Sequence, residues 1–156
     1  MFVVRKGIKL ALGIFCLYLG CKNEYDGGLR LRHTYKKENL PQLICDDYPA
    51  YVELYEKTWE MAFANSEINL PEGWLPQLTC MPGAGTIWQW DSCFLMFFAR
   101  FSNGNLHATN NLDNLYRLQR EDGYISMAYR IFTEKPAFPE RINPPLFAWA
   151  EWEHYL

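Results

Sequence analysis

From Asp46 to Ala64, the apolar residues Val52, Tyr55, Trp59 and Ala62 fall at intervals of three and four, with Glu53, Glu56, Lys57 and Glu60 between them. This is the pattern of an amphipathic helix. Asp46-Asp47 ahead of Pro49 supplies a helix start, because proline is pre-organised for the first turn. Pro71, Gly73, Pro76 and Pro82 break the stretch from Asn65 to Gly85 into a long irregular connection. Connections of that length inside a compact domain are commonly functional. A second helix is predicted from about Asp91 to Ser102-Asn103-Gly104. Its Phe94-Leu95-Met96-Phe97-Phe98-Ala99 run has no polar side, so protein should surround it. A third helix is predicted from about Asn105 to Gln119, with Ala108, Leu112, Leu115 and Gln119 on one face, closed by the turn Arg120-Glu121-Asp122-Gly123. After the proline-rich loop Tyr124 to Pro145, a fourth helix opens at Leu146 and runs to the end of the sequence. Strand-like alternation is scarce, and the expected fold class is all-α.

The order of these helices adds to the picture. One with an amphipathic stripe precedes one without a polar side, and the theme recurs in the second pair. Outer and inner helices of a closed two-layer ring alternate in this way, and four helices do not close such a ring. The apolar second and fourth helices would then leave contiguous apolar surface exposed, and poor solubility is expected.

Ahead of the helices lies an address. Arg5, Lys6 and Lys9 form a basic region, and Leu10 to Leu19 an apolar one too short to span a bilayer comfortably. Gly20-Cys21 follows, and a small residue before Cys resembles the lipobox of bacterial lipoproteins, with Tyr18 where that motif usually has Leu. The resemblance implies a signal peptide over 1–21 and lipidation of Cys21. A polar tether over 22–45 and a domain over 46–156 would follow. Acyl chains would hold the protein to a membrane in the bacterial cell envelope. Ordinary secretion with cleavage nearby, or an uncleaved anchor, also fits the charge and apolar pattern.

Composition narrows the chemistry. The chain has 156 residues, 49% hydrophobic and 21% charged, which is globular and long enough for a core. Aromatics reach 17%, with six Trp and ten Tyr, a density suited to handling carbohydrate or to tight packing. A net charge of −3 and the lack of a Lys/Arg cluster argue against nucleic acid. With Cys16 in the signal and Cys21 lipidated, Cys45, Cys80 and Cys93 remain, widely spaced and without CxxC. Neither a zinc site nor a disulfide framework is indicated. Cys93, inside the apolar helix, is expected to be a small core residue. His33, His107 and His154 show no ligand or triad spacing, and Gly83-x-Gly85 lacks the helix signature of a phosphate loop. No cofactor is expected.

The stretch Thr86-Ile87-Trp88-Gln89-Trp90-Asp91-Ser92-Cys93-Phe94 carries the candidate site. It places one carboxylate and two indoles at the mouth of an apolar helix. Sugar hydroxyls need acceptors and sugar C–H faces stack on aromatic rings. An ionised acceptor gives the stronger hydrogen bond. Helix capping by Asp91, with the indoles filling the core, explains the same residues.

The segment Met81 to Phe94, read as Met-Pro-Gly-Ala-Gly-Thr-Ile-Trp-Gln-Trp-Asp-Ser-Cys-Phe, is similar to the first signature of trehalases and of the glucosidase I and mannosylglycerate hydrolase group. These are six-hairpin, (α/α)6-barrel glycoside hydrolases. Leu118-Gln119-Arg120-Glu121-Asp122-Gly123-Tyr124-Ile125 and Ile142-Asn143-Pro144-Pro145-Leu146 agree in the same order. The resemblance runs from about Asp46 to Leu156 and is closest to the mannosylglycerate-hydrolase-like branch. It implies an all-α chain forming the N-terminal part of an (α/α)6 toroid. It also implies that Trp88 and Asp91 line the subsite for the released sugar, Asp91 accepting ring hydroxyls and Trp88 walling the pocket. Gln119 would add a rim contact, with a satisfied core amide as the alternative. Trp90 is the remaining substrate-side candidate, its place on the helix favouring packing.

Relatives of this kind hydrolyse α-linked O-glycosidic bonds by inversion, which needs an acid and a base carboxylate set apart to admit water. The family's Trp-Asp acid motif and its later Glu base have no counterpart in this sequence. Glu151 and Glu153, two apart on a helix, do not share a face, and Asp122 reads as a turn residue. The expectation is a glycoside hydrolase fragment that binds an oligosaccharide or disaccharide and lacks its acid and base. The alternative is a non-catalytic carbohydrate-binding lipoprotein.

Overall fold

The structure, a computed structural model, describes residues 37–156. The expected signal peptide, most of the tether, Cys21 and His33 lie outside the described residues. Four α-helices are joined by segments that pair into two small antiparallel sheets. The first helix, α1, spans Pro49–Ala64, with its proline in the opening turn. It buries Trp59, Ala62 and Phe63, while Tyr55 meets the Trp59 ring edge-on. Asn65 ends it by returning its N–H to the Met61 and Ala62 carbonyls.

Directly after, β1 (Ser66–Glu67) pairs with β2 (Gln77–Leu78). The chain turns between them at Pro71–Trp74, where Trp74 N–H bonds the Pro71 carbonyl and Gly73 takes φ +83°. That value favours glycine, since a side chain there is strained. A second sheet joins β3 (Thr86–Trp88) to β4 (Ala128–Arg130), with Ile87 opposite Tyr129 and Trp88 opposite Ala128. The helix α2 (Gln89–Ala99) leaves β3 without a break and ends in a 3-10 turn over Arg100–Ser102. It is followed by α3 (Asn110–Arg117) and, late in the chain, α4 (Phe147–Tyr155).

These sheets correct the expected all-α class, and with it the reading of the chain as part of an all-helical toroid. The described residues form a mixed helix–sheet fold. The physical reason is strand length: two or three residues are too few to display the alternation by which strands are recognised. β1, β2 and β4 fall within the stretches expected to be irregular, and β3 lies between the first of them and the second helix. The third helix is shorter than predicted. Asn103 in a left-handed turn (φ 55°) and Gly104 separate it from the 3-10 turn, and its first residue is Asn110. The second helix starts two residues earlier than expected, because β3 delivers the chain straight into it.

As its composition requires, α2 is the centre of the molecule. Cys93, Leu95, Met96 and Ala99 are buried in one cluster with Leu112 and Leu115 of α3 and Ala150 of α4. The Arg100 guanidinium fastens α4 through Glu153 at 3.2 Å. None of the helices among the described residues is long and apolar enough to cross a membrane.

Polar side chains pin the irregular segments. Asn111, fully buried on α3, accepts the Leu78 N–H at 2.9 Å and donates to the Leu78 carbonyl at 2.8 Å, pairing with it as a neighbouring strand would. Asn114 does the same for Leu75, at 2.9 and 3.0 Å. Asn110 donates to the Pro76 carbonyl at 2.7 Å. Asparagine is a poor helix former, so three within five residues cost α3 some intrinsic stability. What they return is a partner for backbone groups of the irregular segment, those of Leu78 buried and otherwise orphaned.

Candidate functional site

The three stretches quoted for the family resemblance come together. Gln89, buried at the head of α2, bonds its backbone N–H to the Met127 carbonyl, and its side-chain oxygen accepts the Asn143 N–H at 3.2 Å. The Trp-Gln-Trp-Asp turn is thereby tied to the Asn-Pro-Pro entry of α4. The Leu118–Ile125 stretch joins through Tyr129 of β4, whose hydroxyl donates to the Leu118 carbonyl and accepts the Ser126 N–H. Gln89 drew no attention in the sequence because a glutamine between two tryptophans carries no periodic signal.

At the centre of this arrangement is the first turn of α2. Trp88 is the residue before the helix, in extended conformation, and Asp91 lies three positions on, inside the helix. No side chain caps this helix start, so Asp91 is not the cap that its sequence position suggested. Its carboxylate lies in the first turn, where the helix dipole favours negative charge, and it is half-buried. The thiol of Cys80, arriving from the loop after β2, sits against it. Burial first, then the Asp91 charge and a hydrogen bond with it, raise the Cys80 pKa well above the ordinary thiol value.

Trp88 is half-buried and packs against Phe138, ring centres 5.7 Å apart. Its indole N–H is buried without a hydrogen-bond partner, which is uncommon for so strong a donor. Trp90 projects to the other side, exposed, over Phe94. Gln119 is also exposed, and its amide donates to the Gly123 carbonyl within the turn that follows α3. The structure therefore corrects the core-amide alternative for Gln119, whose hydrogen bond stays within its own turn.

Beneath Asp91, a chain of hydrogen bonds holds the turn. Asn111 donates to Ser92 Oγ at 3.1 Å, and Ser92 donates to the Trp88 carbonyl at 2.6 Å. Further along, Cys93 is buried in the core as expected. Burial, together with the charges of Glu151 and Asp91, pushes its thiol up to about 12. Tyr116 donates its hydroxyl to Glu151. Burial and that bond raise the phenol above its usual range. Glu153 faces Arg100 instead, so the two α4 carboxylates are spent on different neighbours, as their spacing required.

A reactivity prediction follows for Cys93. Because the thiolate is the nucleophile, iodoacetamide at pH 8 should label native Cys93 far more slowly than the same residue in urea, its rate climbing only as pH nears 12. Equal labelling of native and unfolded protein at pH 8, read by mass spectrometry, would contradict it.

Two hollows are distinct from this turn. One, of about 300 Å³, lies between the Lys37–Leu43 segment and Val52, Tyr55, Glu56 and Trp59 of α1. The other is a shallow depression at Gln119–Asp122. Neither is lined by Trp88 or Asp91. No group of three or more His, Cys, Asp or Glu among the described residues has a metal-holding arrangement. On the hairpin beyond β4, Glu134 adopts φ 56° and accepts from Trp74 Nε1 at 3.0 Å and Arg117 at 2.7 Å. These partners hold its carboxyl below the usual range, the Arg117 hydrogen bond first among them.

The comparisons with known proteins are brief. A protein of Borreliella burgdorferi (strain B31), described as an uncharacterized protein, is 36% identical over 70 residues. The match takes in 43% of this chain and 15% of the relative, so the chain matches well under a fifth of that protein's length. No family model matches the chain, and no solved structure matches it.

Proposed function

We propose that this chain supplies the sugar-holding side of a glycoside hydrolase site of the trehalase, glucosidase I and mannosylglycerate hydrolase group, acting on α-linked O-glycosidic bonds with inversion. The observation that carries the proposal is the state of Asp91. It is a half-buried carboxylate in the first turn of α2, held there by neighbours and not used as a helix cap. Such a group has lone pairs to offer a hydroxyl, and the start of a helix is a favourable place for an acceptor of this kind. Trp88, beside it in the chain, offers a ring face and an unpartnered N–H.

Inversion needs a second carboxylate across the sugar. The two that bear electrostatically on the thiols around Asp91 are already engaged, Glu67 by Gln77 at 3.0 Å and Glu151 by Tyr116. The acid and base are therefore proposed to come from polypeptide other than the described residues. Cys21, lipidated, would hold the assembly at the bacterial cell envelope. That same engagement of Glu67 and Glu151 also favours a second reading, a sugar-binding lipoprotein without catalysis.

Calorimetric titration with α-linked gluco-, manno- and galacto-disaccharides tests the proposal. Weak binding of at least one, at millimolar strength or about −4 kcal/mol, is expected, with no product over days. Turnover by the purified 156-residue chain would refute the assignment of acid and base elsewhere. Absence of binding to all three would refute the sugar site itself.

A further inference from the structure

Two half-buried rings stand apart from the hydrophobic core. Trp88 and Phe138 pack against each other with ring centres 5.7 Å apart and planes inclined at 42°. Neither belongs to the buried cluster around α2, nor to the half-buried side chains packed on it. The pair is a surface feature, and rings left partly open to solvent have faces to offer a ligand.

The backbone fixes where Phe138 stands. Trp88 lies opposite Ala128 in the β3–β4 register, and Ala137, just before Phe138, donates its N–H to the Ala128 carbonyl at 2.9 Å. The Phe138 carbonyl accepts from the buried Ser126 hydroxyl at 3.1 Å and from the Arg141 N–H at 3.3 Å. Arg141 also lays its guanidinium over the ring, 6.0 Å from its centre. Further on, the Asn143 N–H bonds Gln89, which ties the same segment to the head of α2. A ring held in place beside Trp88 before any ligand arrives has less freedom to lose on binding.

Spacing and chemistry supply the role. The offset between the two ring centres is close to that between neighbouring sugar rings of a disaccharide, so one sugar on Trp88 brings the next over Phe138. A phenyl ring carries no polar atom. It contributes through contact with C–H faces and makes no demand on the configuration of the hydroxyls. We propose that Phe138 forms a second subsite, for the sugar unit linked to the one that Trp88 and Asp91 hold. The proposal rests on the sugar reading of Asp91. It adds a substrate class, because disaccharides and longer chains engage both rings and a single sugar engages one.

The test is ligand-observed NMR titration of the 156-residue chain with α-linked gluco-, manno- and galacto-disaccharides and with the methyl α-glycosides of the same sugars. Wild type is expected to bind at least one disaccharide more tightly than the matching methyl glycoside. Phe138→Leu should weaken that disaccharide about three- to tenfold, the loss of one ring contact, and leave the methyl glycoside unchanged. Phe138→Tyr keeps the ring and should keep the affinity. Circular dichroism confirms that each variant is folded. On the wild-type protein, saturation of aromatic protons should transfer to C–H protons of both sugar units. Transfer to one unit alone would overturn the second subsite. So would equal weakening of both ligands by Phe138→Leu, the mark of a structural role, or weakening of neither. Asp91→Asn should weaken both ligands alike. If wild type binds none of these ligands, the sugar reading falls and the subsite with it. Binding that is intact and indifferent to Phe138→Leu overturns the subsite alone.

Discussion

Asp91→Asn is expected to lower saccharide affinity roughly two- to thirtyfold while the protein stays folded. The exchange keeps an acceptor oxygen and the shape of the side chain, and removes the charge. A hydrogen bond to an ionised group contributes about 1.5–3 kcal/mol, against about 1 for a neutral pair, and each 1.4 kcal/mol is tenfold in binding. Stability should move much less. A carboxylate in a first helical turn gains only about 0.3–1 kcal/mol from the dipole, and no cap bond is lost. The Cys80 thiol, which lies against Asp91, keeps an oxygen to bond. Titration calorimetry and urea denaturation on the same preparation separate the two effects. Unchanged affinity, or a stability loss as large as the affinity loss, would show that Asp91 is structural.

Much of the helical frame was legible in the sequence, for reasons that can be located. Pro49 and the three-and-four spacing of Tyr55, Trp59 and Ala62 mark α1 because a long helix repeats its signal several times. The apolar run Phe94–Ala99 marks α2 as central, and burial of Leu95, Met96 and Ala99 agrees. The four strands were illegible because pairing partners such as Trp88 and Ala128 are forty residues apart and each strand is two or three residues long. The α4 face was legible too: the apolar fourth helix was expected to leave contiguous apolar surface exposed, and Trp149, Trp152 and Tyr155 are exposed while Ala150 is buried.

The site divides along the same line. Trp88, Trp90 and Asp91 stand out by residue type. Their setting depends on Gln89, Cys80 and Asn111, whose roles arise only when distant segments meet. Asn110-Asn111-x-x-Asn114 offered one readable signal, three poor helix formers on a helix otherwise carrying Leu112 and Leu115 inward. Residues that oppose local propensity are often held for a tertiary reason.

That signal leads to the largest stability effect expected in this protein, that of Asn111→Leu. The two side chains have similar size, and Asn111 lies in an apolar neighbourhood beside Leu112 and Leu115, so a hydrophobicity scale would score the change as favourable. Hydrogen-bond geometry gives the opposite sign. Leucine would leave the Leu78 N–H, the Leu78 carbonyl and Ser92 Oγ without their present partner, all of them buried. An orphaned buried polar group costs about 1–3 kcal/mol, and Ser92 still bonds the Trp88 carbonyl, so a loss of about 3–5 kcal/mol is expected. For a domain of this size that is a large share of the total. The damage should also travel. With Ser92 released from Asn111, the turn carrying Trp88 and Asp91 loses its lower support, and sugar affinity should fall with stability. Asn111→Asp isolates the cause, since it can still accept the Leu78 N–H while losing both donations. It should lie between wild type and leucine if charge burial is relieved by protonation, its stability recovering as pH drops. Urea denaturation of the three proteins at pH 5 and pH 8 reads this directly, and a leucine variant as stable as wild type would show that Leu78 does not depend on Asn111.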